Sequence, residues 1–318
     1  MLQTSRLHSE LQTIKAYLEQ TLQSPHPDLE NLFLNLQSSQ GKMLRAQFCL
    51  IFAHLFQENL NDDQIQVAAS IELIHLATLI HDDIIDCSPI RRNQPSVQSA
   101  FGADVAVYAG DYIFTKYFAL IQKLLAHNST LIQANIDVMS KILEGELRQK
   151  ESRFNLQHSL ETELQIIQTK TAALFALAAF EGATLAGATE KQAHICAEIG
   201  LKIGTIFQLL DDLLDLTSTV EQSGKSVQTD FQNGIYTYPL LCVWHQDKEF
   251  FANYLSSNMN HANLLIVIEK VKQLGGIERT KNYIHQLGQE LLDLCALLPN
   301  NNWQQLLVKN CQKLIKKA

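Results

Sequence analysis

The sequence predicts an all-α fold, because prolines are scarce, apolar residues follow helical spacing and strand patterns are lacking. Only six of the 318 residues are proline, and none lies between Pro95 and Pro239. Nearly half of the chain therefore lacks the residue that most reliably breaks a helix. Segments such as IQVAASIELIHLATLIHDDIID place apolar residues at i, i+3, i+4 and i+7, which is the spacing of a helix that buries one face. No alternating segments bounded by turn pairs stand out as strands.

The helical segments are separated by short breaks rather than by linkers. None of these breaks is long enough to join independent domains. We therefore expect one domain over residues 1–318, a single large helical bundle with roughly ten or more helices of about a dozen residues each. In chain order the breaks lie at residues 24–27, 38–41, 87–95, 217–224, 232–234, 256–261 and 298–302.

The cysteines and the apolar segments predict a cytoplasmic protein. The six cysteines include no CxxC pair, which counts against a zinc site and against a disulfide framework. The N-terminal segment MLQTSRLHSELQTIKAYLEQ is polar and lacks the apolar core of a signal peptide. The longest apolar segment, residues 171–188, contains Glu181 and many small residues, which is typical of a packed internal helix rather than a bilayer span.

The charge balance argues against nucleic acid as a partner. Subtracting 33 acidic from 25 basic residues leaves a net charge of −8, and the basic residues form no stripe. Such a protein can still bind an anion where a metal ion mediates the contact.

Two copies of the pattern D-D-x-x-D carry the strongest chemical signal. Within each copy the first and last aspartates are four positions apart, so on a helix they lie one turn apart on the same face. The first aspartates of the two copies are 129 positions apart. A chain of this amino-acid composition is not expected to contain two copies by chance. The copies are DDIID, with Asp82, Asp83 and Asp86, and DDLLD, with Asp211, Asp212 and Asp215.

Both motifs predict Mg²⁺ sites for a diphosphate substrate. Like charges one turn apart repel each other, and Pro89 and Gly224 place each motif near a helix C-terminus, where the dipole disfavours anions. A bound cation would offset both effects. Carboxylate ligands without histidine or thiolate suit Mg²⁺, which completes its shell with water and phosphate oxygens. A single motif could instead be a solvated acidic face, but the pair disfavours that interpretation.

Cationic residues lie at chain breaks beside the acidic motifs. Guanidinium and ammonium groups are the side chains that hydrogen-bond diphosphate oxygens. Each of them alone could be a solvated surface charge, so the inference depends on their placement. The candidates are Arg91 and Arg92 after the first motif, Lys225 after the second, Lys42 and Arg45 after Gly41, and Lys170 beside Thr171 at the start of a long apolar helix.

Together these motifs resemble the trans-isoprenyl diphosphate synthases of the class I isoprenoid synthase fold. The resemblance covers residues 40–241 and includes DDIID, FQLLDDLLD, GDYIF from Gly110 and KTAALF from Lys170. It implies a helical bundle around a central apolar tunnel. It also implies isopentenyl diphosphate and an allylic diphosphate as substrates.

The resemblance assigns roles residue by residue. The metal ligands that it implies are Asp82 and Asp86 for two Mg²⁺ ions and Asp211 for a third, with support from Asp212 and Asp215. Residues implied to bind the allylic diphosphate are Arg91, Lys170 and Lys225, and those implied for isopentenyl diphosphate are Lys42, Arg45, His75 and Arg92. Thr171 and Gln208 match positions near the reacting carbons. His75 taken alone could equally be a core histidine.

The chain departs from the family pattern in two motifs. The family's GGKRxRP is QGKMLRA here, so Met43 replaces an arginine and Ala46 a proline. The family's GKxxGxDLxxGKxTLP is GKSVQTDFQNGIYTYP, so Gln228 replaces a glycine and Ile235 a lysine. Loss of one charged hydrogen bond could cost about 1.5–3 kcal/mol. This chain could therefore bind its substrates more weakly than the family pattern implies, or it could depend on another subunit. The intact aspartate motifs argue against a purely regulatory subunit.

The resemblance also implies how long the product is. In this family, the residues just before the first motif form the floor of the tunnel. Here they are Ala77 and Thr78, and neither is aromatic. A tunnel without a bulky floor accommodates a longer chain, so we expect a product of about twenty carbons or more.

Other functions remain open at this point. A class I terpene cyclase shares the ionisation chemistry, although its second metal motif usually has another pattern. His81-Asp82, with His54 upstream, also matches an HD-type phosphohydrolase, which would require histidines to converge on a metal. A helical interaction protein with acidic helix ends is the third alternative. The resemblance favours a homodimer with an interface near residues 101–120, and a heterodimer is the alternative assembly.

Overall fold

The computed structural model describes residues 2–24, 26–38, 41–92, 94–217, 231, 233–255 and 261–318. The predicted ligand Lys225 and the departure at Gln228 lie outside these residues. The described residues form helices throughout, with one two-residue β-ladder, so the predicted all-α class is confirmed.

Helices end and begin at the predicted breaks at residues 24–27, 87–95 and 298–302, whereas the breaks at residues 55–61, 126–128, 153–159 and 186–189 were not predicted. In chain order the first elements are α1 (Leu2–Thr21), α2 (Pro27–Ser38), α3 (Leu44–His54), α4 (Asp62–Ile85), β1 (Ile90–Arg91), β2 (Gln94–Pro95), α5 (Val97–Phe101), α6 (Ala103–Leu125) and α7 (Ser129–Ser152). The later elements are α8 (Leu160–Ile167), a π-helical turn (Gln168–Ala172), α9 (Ala173–Leu185), α10 (Glu190–Thr217), α11 (Tyr238–Leu241), a 3₁₀ turn (Trp244–Gln246), α12 (Lys248–Tyr254), α13 (His261–Gln273), α14 (Gly276–Cys295) and α15 (Asn302–Ile315).

Helix α4 shows how the sequence sets the position of the first motif. Its start is a capping box, in which the Asn61 side chain accepts from the Gln64 N–H at 2.9 Å and the Gln64 side chain accepts from the Asn61 N–H at 2.8 Å. Its end falls within DDIID, with Asp86 as the C-cap. The second motif lies in the last two turns of α10. Both motifs therefore lie at helix C-termini, as the chain breaks predict.

The β-ladder after the first motif was not predicted. It is a short antiparallel pair in which Ile90 lies opposite Pro95 and Arg91 opposite Gln94. Strands of two residues are too short to show an alternating pattern, so periodicity cannot find them. The ladder turns Arg91 back towards the end of α4.

The chain divides into two compact units, each with its own core. In unit 1, α4 packs against α6 and α3, and Phe52 and Tyr117 are among its fully buried side chains. In unit 2, Phe231 and Phe251 are fully buried. The prediction of one domain over residues 1–318 stays a prediction. Unit 1 comprises residues 1–136, 174–200 and 298–307, and unit 2 comprises residues 137–173, 201–297 and 308–318.

One helix among the described residues, α10, is long and apolar enough to cross a bilayer by length and composition alone. This is weak support for a membrane span, because 56% of its most apolar window is buried inside the protein and core helices meet the same criterion.

Candidate active site

The first aspartate motif is divided between one buried and two partly exposed carboxylates. Asp83 is only 3% exposed and accepts hydrogen bonds from Arg91, whose Nε lies 3.0 Å from Oδ1 and 3.1 Å from Oδ2. Asp82 and Asp86 are partly exposed and lie one turn apart on the same side of α4. Arg91 thus neutralises the middle carboxylate, and the outer two form the pair that can hold a cation.

The second motif repeats this division within unit 2. Asp212 is 3% exposed, and its Oδ1 accepts from Gln208 Nε2 at 3.0 Å. The Gln208 side-chain oxygen in turn accepts from the Thr171 hydroxyl at 2.9 Å. Asp211 is exposed and Asp215 is partly exposed. The structure therefore brings three predicted residues, Thr171, Gln208 and Asp212, into one chain of hydrogen bonds.

The donor sets fit Mg²⁺. Across the residues that the structure describes, no group of three or more histidine, cysteine or acidic side chains could hold a metal by itself. Each motif instead presents two carboxylates at i and i+4. Mg²⁺ binds through one or two carboxylates and fills its octahedron with water and phosphate oxygens. A pair of carboxylates is therefore a sufficient protein contribution, whereas a structural zinc site would require more protein ligands.

Lys170 lies in the π-helical turn between α8 and α9. Its Nζ donates to Glu146 Oε2 at 2.8 Å and to Gln149 Oε1 at 2.7 Å. Single π-helical turns inside α-helices occur frequently at functional sites. Gly145 on α7 makes room for this turn, since a Cβ there would lie 2.8 Å from the backbone nitrogen of Lys170. Lys170 is thus oriented by two polar side chains of α7.

Three side chains that are predicted to bind isopentenyl diphosphate, those of Arg45, His75 and Arg92, belong to unit 1. Arg45 lies with its guanidinium 4.6 Å from the centre of the Phe175 ring, and burial lowers its pKa to about 10. Burial also holds the pKa of His75 well below its ordinary value, and the charges of Arg45 and Arg92 act in the same direction. His75 is therefore neutral at pH 7. It lines a cavity of about 100 Å³ together with Arg91 and Arg92.

The departures from the family pattern have local structural consequences. Met43, which replaces an arginine, precedes α3 in the left-handed region with φ 46°. Ile235, which replaces a lysine, is buried, so the side chain at this position packs into unit 2 and supplies no charge. Lys42 is exposed.

The two residues predicted to control product length differ in their surroundings. Ala77 is completely buried. Thr78 is partly exposed, and its hydroxyl donates to the His75 carbonyl at 2.9 Å. Neither side chain projects far from α4.

A buried polar network in unit 1 was missed by the sequence analysis. The Tyr117 hydroxyl donates to the Asn135 side-chain oxygen, and the Asn135 amide donates to Glu181 Oε1. Glu181 is completely buried, and its Oε2 has no hydrogen-bond partner among the residues that the structure describes. Burial raises the pKa of Glu181 to about 8. The sequence offered one signal for this network, which is a glutamate within an apolar run. Local patterns could not identify its partner, because Asn135 lies 46 positions away from Glu181.

The histidines of the phosphohydrolase alternative make structural contacts. His54 Nε2 lies 2.9 Å from Glu10 Oε2, and its ring stacks on Trp303 at 4.0 Å. His81 Nε2 lies 3.5 Å from Asp111. The described residues contain no cluster in which either histidine joins two further potential ligands. This arrangement does not supply the convergent histidines that the alternative requires.

Comparison with known proteins agrees with the sequence motifs and the fold. The sequence model of the polyprenyl synthetase family matches residues 26–271. Component 2 of the heptaprenyl diphosphate synthase of Geobacillus stearothermophilus is 31% identical over 304 residues, which cover 95% of this chain and 94% of the relative.

Two solved structures superpose on nearly the whole chain. The geranylgeranyl pyrophosphate synthase of Lactobacillus brevis is 33% identical, with a TM-score of 0.92 over 99% of this chain and 98% of the other. The polyprenyl synthase of Caulobacter crescentus, complexed with calcium and isoprenyl diphosphate, is 28% identical, with a TM-score of 0.90 over 98% and 96%. The motifs, the helical fold and these similarities together show that the chain belongs to the polyprenyl synthetase family of prenyltransferases.

Proposed function

We propose that this chain condenses isopentenyl diphosphate with an allylic diphosphate in a Mg²⁺-dependent trans-prenyl transfer. One observation carries the proposal: both D-D-x-x-D motifs bury their middle carboxylate against a partner and present the outer two. Two such pairs suit the binding of hydrated divalent cations by a diphosphate enzyme.

The outer carboxylates would hold the metal ions. Asp82 and Asp86 contribute the pair of unit 1, while Asp211 and Asp215 contribute that of unit 2, for three ions by resemblance to the family. Bound Mg²⁺ would neutralise the negative charge that develops on the diphosphate leaving group. The Caulobacter crescentus relative, which holds calcium and isoprenyl diphosphate, supports a divalent ion and a diphosphate as ligands.

The cationic side chains bind and orient the substrates. Arg91 and Lys170 donate hydrogen bonds to the allylic diphosphate while its C–O bond breaks and the electron pair leaves with the diphosphate. Lys42, Arg45, His75 and Arg92 bind isopentenyl diphosphate. The double bond of isopentenyl diphosphate then forms the new C–C bond, and a proton leaves to the released diphosphate. Thr171 and Gln208 lie beside the reacting carbons, and no protein nucleophile is needed.

The product has about twenty carbons or more. The small side chains of Ala77 and Thr78, at the positions that the resemblance assigns to the tunnel floor, support this product length. The relatives named for geranylgeranyl and heptaprenyl products support a product in this range.

The chain works in the cytoplasm as a homodimer. The alternative is a heterodimer, and the name of the Geobacillus stearothermophilus relative, component 2, is the observation that favours it. Met43 and Ile235, which replace cationic residues of the family pattern, are consistent with dependence on a second subunit.

The proposal is tested by incubating the purified chain with isopentenyl diphosphate, farnesyl diphosphate and Mg²⁺, and measuring products by mass spectrometry. We expect a ladder of products that differ by five carbons and end at one length. EDTA should abolish the ladder and added Mg²⁺ should restore it. Absence of elongation with geranyl, farnesyl and geranylgeranyl primers would contradict the proposal for the isolated chain.

A further inference from the structure

The middle carboxylate of the second motif has a partner of a different kind from that of the first. In the first motif, Asp83 is paired with the guanidinium group of Arg91. In the second, Asp212 Oδ1 accepts from the side-chain amide of Gln208 at 3.0 Å, and Asp212 is 3% exposed. A neutral amide balances no charge. The contact between Gln208 and Asp212 therefore fixes a geometry, in a buried place where a hydrogen bond is stronger than in water.

This contact decides which way the Gln208 amide faces. A side-chain amide has a carbonyl oxygen, which accepts hydrogen bonds, and an amino group, which donates them. A carboxylate oxygen accepts, so Asp212 binds the amino end. The carbonyl end faces the hydroxyl of Thr171, which lies 2.9 Å from Oε1 and donates to it. Of the two orientations that the amide could take, Asp212 therefore selects one.

The orientation of the amide in turn sets the direction of the Thr171 hydroxyl. A hydroxyl has one proton to donate and two lone pairs that accept. Thr171 is buried in the π-helical turn, and its proton points at Gln208 Oε1. With a reversed amide, the amino group would face the hydroxyl, which would then have to accept. The orientation thus passes from Asp212 through Gln208 to Thr171.

This direction matters where positive charge develops. By resemblance to the family, Thr171 and Gln208 lie near the reacting carbons. When the C–O bond of the allylic diphosphate breaks, the electron pair leaves with the diphosphate and the allylic carbons become positive. Oxygens that already point their partial negative charge at this place stabilise the cation without reorienting. A reversed Gln208 would present the partial positive charge of its N–H groups instead.

We propose that Asp212 is a positioning residue for the ionisation of the allylic substrate: it holds the Gln208 amide so that the oxygens of Gln208 and Thr171 face the cation. This inference rests on the proposed function. It gives the middle aspartate of the second motif a role apart from that of Asp211 and Asp215, which would hold metal. The effect of Asp212 on the reaction is indirect, because it passes through Gln208.

Two substitutions test whether Asp212 serves as a hydrogen-bond acceptor. Asp212→Leu keeps the branched shape and removes the acceptor, so kcat should fall about tenfold or more. Both KM values should stay within about twofold of wild type, because the cation forms only after binding. Asp212→Asn keeps an oxygen that can accept from Gln208, so its kcat should fall only about threefold. An unchanged kcat in folded Asp212→Leu would contradict the inference.

The Mg²⁺ requirement of the same variants separates positioning from metal binding. A positioning role predicts that the Mg²⁺ concentration for half-maximal rate is the same in wild type and both variants. A metal ligand predicts a higher requirement in both, because an amide oxygen carries no charge to attract Mg²⁺. If this requirement rises, or if Asp212→Asn loses as much kcat as Asp212→Leu, the inference is wrong.

A double variant shows whether Asp212 acts through Gln208. Gln208→Leu removes the amide that Asp212 orients. Adding Asp212→Leu to it should change kcat by no more than about twofold, since the effects of residues in one network are not additive. A further tenfold loss would mean that Asp212 acts by another route, and it would overturn the inference.

Glu290→Gln is the matched control. Glu290 Oε2 accepts from Lys202 of α10 at 2.7 Å, so this variant also removes a carboxylate charge that contacts α10, at a residue with no assigned part in the reaction. Its kcat and KM values should equal those of wild type. If Asp212→Leu does not fold, as judged by circular dichroism, Asp212→Ala takes its place with the same expected result.

Elongation by the wild-type chain distinguishes failure of this inference from failure of the proposed function. If the wild type elongates an allylic primer while Asp212→Leu keeps its kcat, only the inference is wrong. A folded wild-type chain that elongates no allylic primer would contradict both.

Discussion

Arg91 donates hydrogen bonds to both carboxylate oxygens of Asp83, the middle aspartate of the first metal motif. The contact joins the β-ladder to the end of α4 and removes one of three carboxylates from metal binding. Asp83 and its outer neighbours should therefore respond differently to substitution.

Asp82→Ala and Asp211→Ala should lower turnover roughly a hundredfold or more, because each removes a carboxylate that would hold the metal ions at the leaving group. Asp83→Asn should instead lower the free energy of unfolding by about 1–2 kcal/mol, since Arg91 loses a charged partner in a partly exposed position. Steady-state kinetics and urea unfolding of the variants measure the two effects. A folded Asp82→Ala, Asp211→Ala double variant with normal turnover would contradict the metal assignment.

Glu181 should make stability depend on pH. Burial raises its pKa from 4.5 to about 8, so the folded state binds this proton more tightly than the unfolded chain does. Its stabilising contribution is complete below about pH 4.5 and is lost as the pH rises to about 8. Within this window the free energy of unfolding should fall by up to about 1.4 kcal/mol per pH unit.

Glu181→Gln, which cannot ionise, should remove this decline, so the variant should be close to wild type near pH 5 and more stable at pH 8. Urea unfolding from pH 5 to pH 8 measures the difference. The surface variant Glu161→Gln on α8 is the control and should follow the wild-type curve. Parallel curves for wild type and Glu181→Gln would show that Glu181 does not retain its proton.

Gly145→Ala should impair binding of the allylic substrate. The new Cβ would lie 2.7 Å from the Thr169 hydroxyl and 2.8 Å from the Lys170 nitrogen, so the π-helical turn must move. Misplacement by about 1 Å can cost up to a hundredfold in rate, and we expect kcat/KM for the allylic substrate to fall at least tenfold.

Lys141→Ala, an exposed change one turn earlier on α7, is the control for Gly145→Ala. Kinetics with each substrate varied in turn measure the effect. A Gly145→Ala variant with unchanged kinetics would mean that the position of Lys170 does not matter for the allylic diphosphate.

Ala77→Phe should shorten the product by one or more five-carbon units, because the aromatic ring would extend from α4 into the space for the growing chain. Ala77 is completely buried, so overpacking could cost about 1–3 kcal/mol, and thermal unfolding should be recorded beside the product assay. Thr78→Phe, at a partly exposed position, tests the same idea with less strain. Unchanged chain length in both folded variants would place the tunnel floor on other residues.

Much of the candidate site follows from local sequence. The spacing of DDIID and DDLLD predicts paired carboxylates at helix ends, and Asn61 with Gln64 marks the start of α4. The bond between Gln208 and Asp212 joins residues four positions apart, which is also a local relationship. Two-residue ladders, π-helical turns and contacts between distant parts of the chain leave no periodic pattern in the sequence, so sequence analysis could not predict them.

The sequence by itself determined the all-α class and the positions of both aspartate motifs near helix C-termini, because helical periodicity and capping depend on residues a few positions apart. Only the tertiary structure decided which carboxylate of each motif is buried, that Glu72 caps α3 at Ala46, and that Asn135 binds Glu181. Burial and partner choice depend on side chains brought together from distant parts of the chain. For the same reason, the charge of a carboxyl group such as Glu181 is a property of the folded protein and not of the sequence.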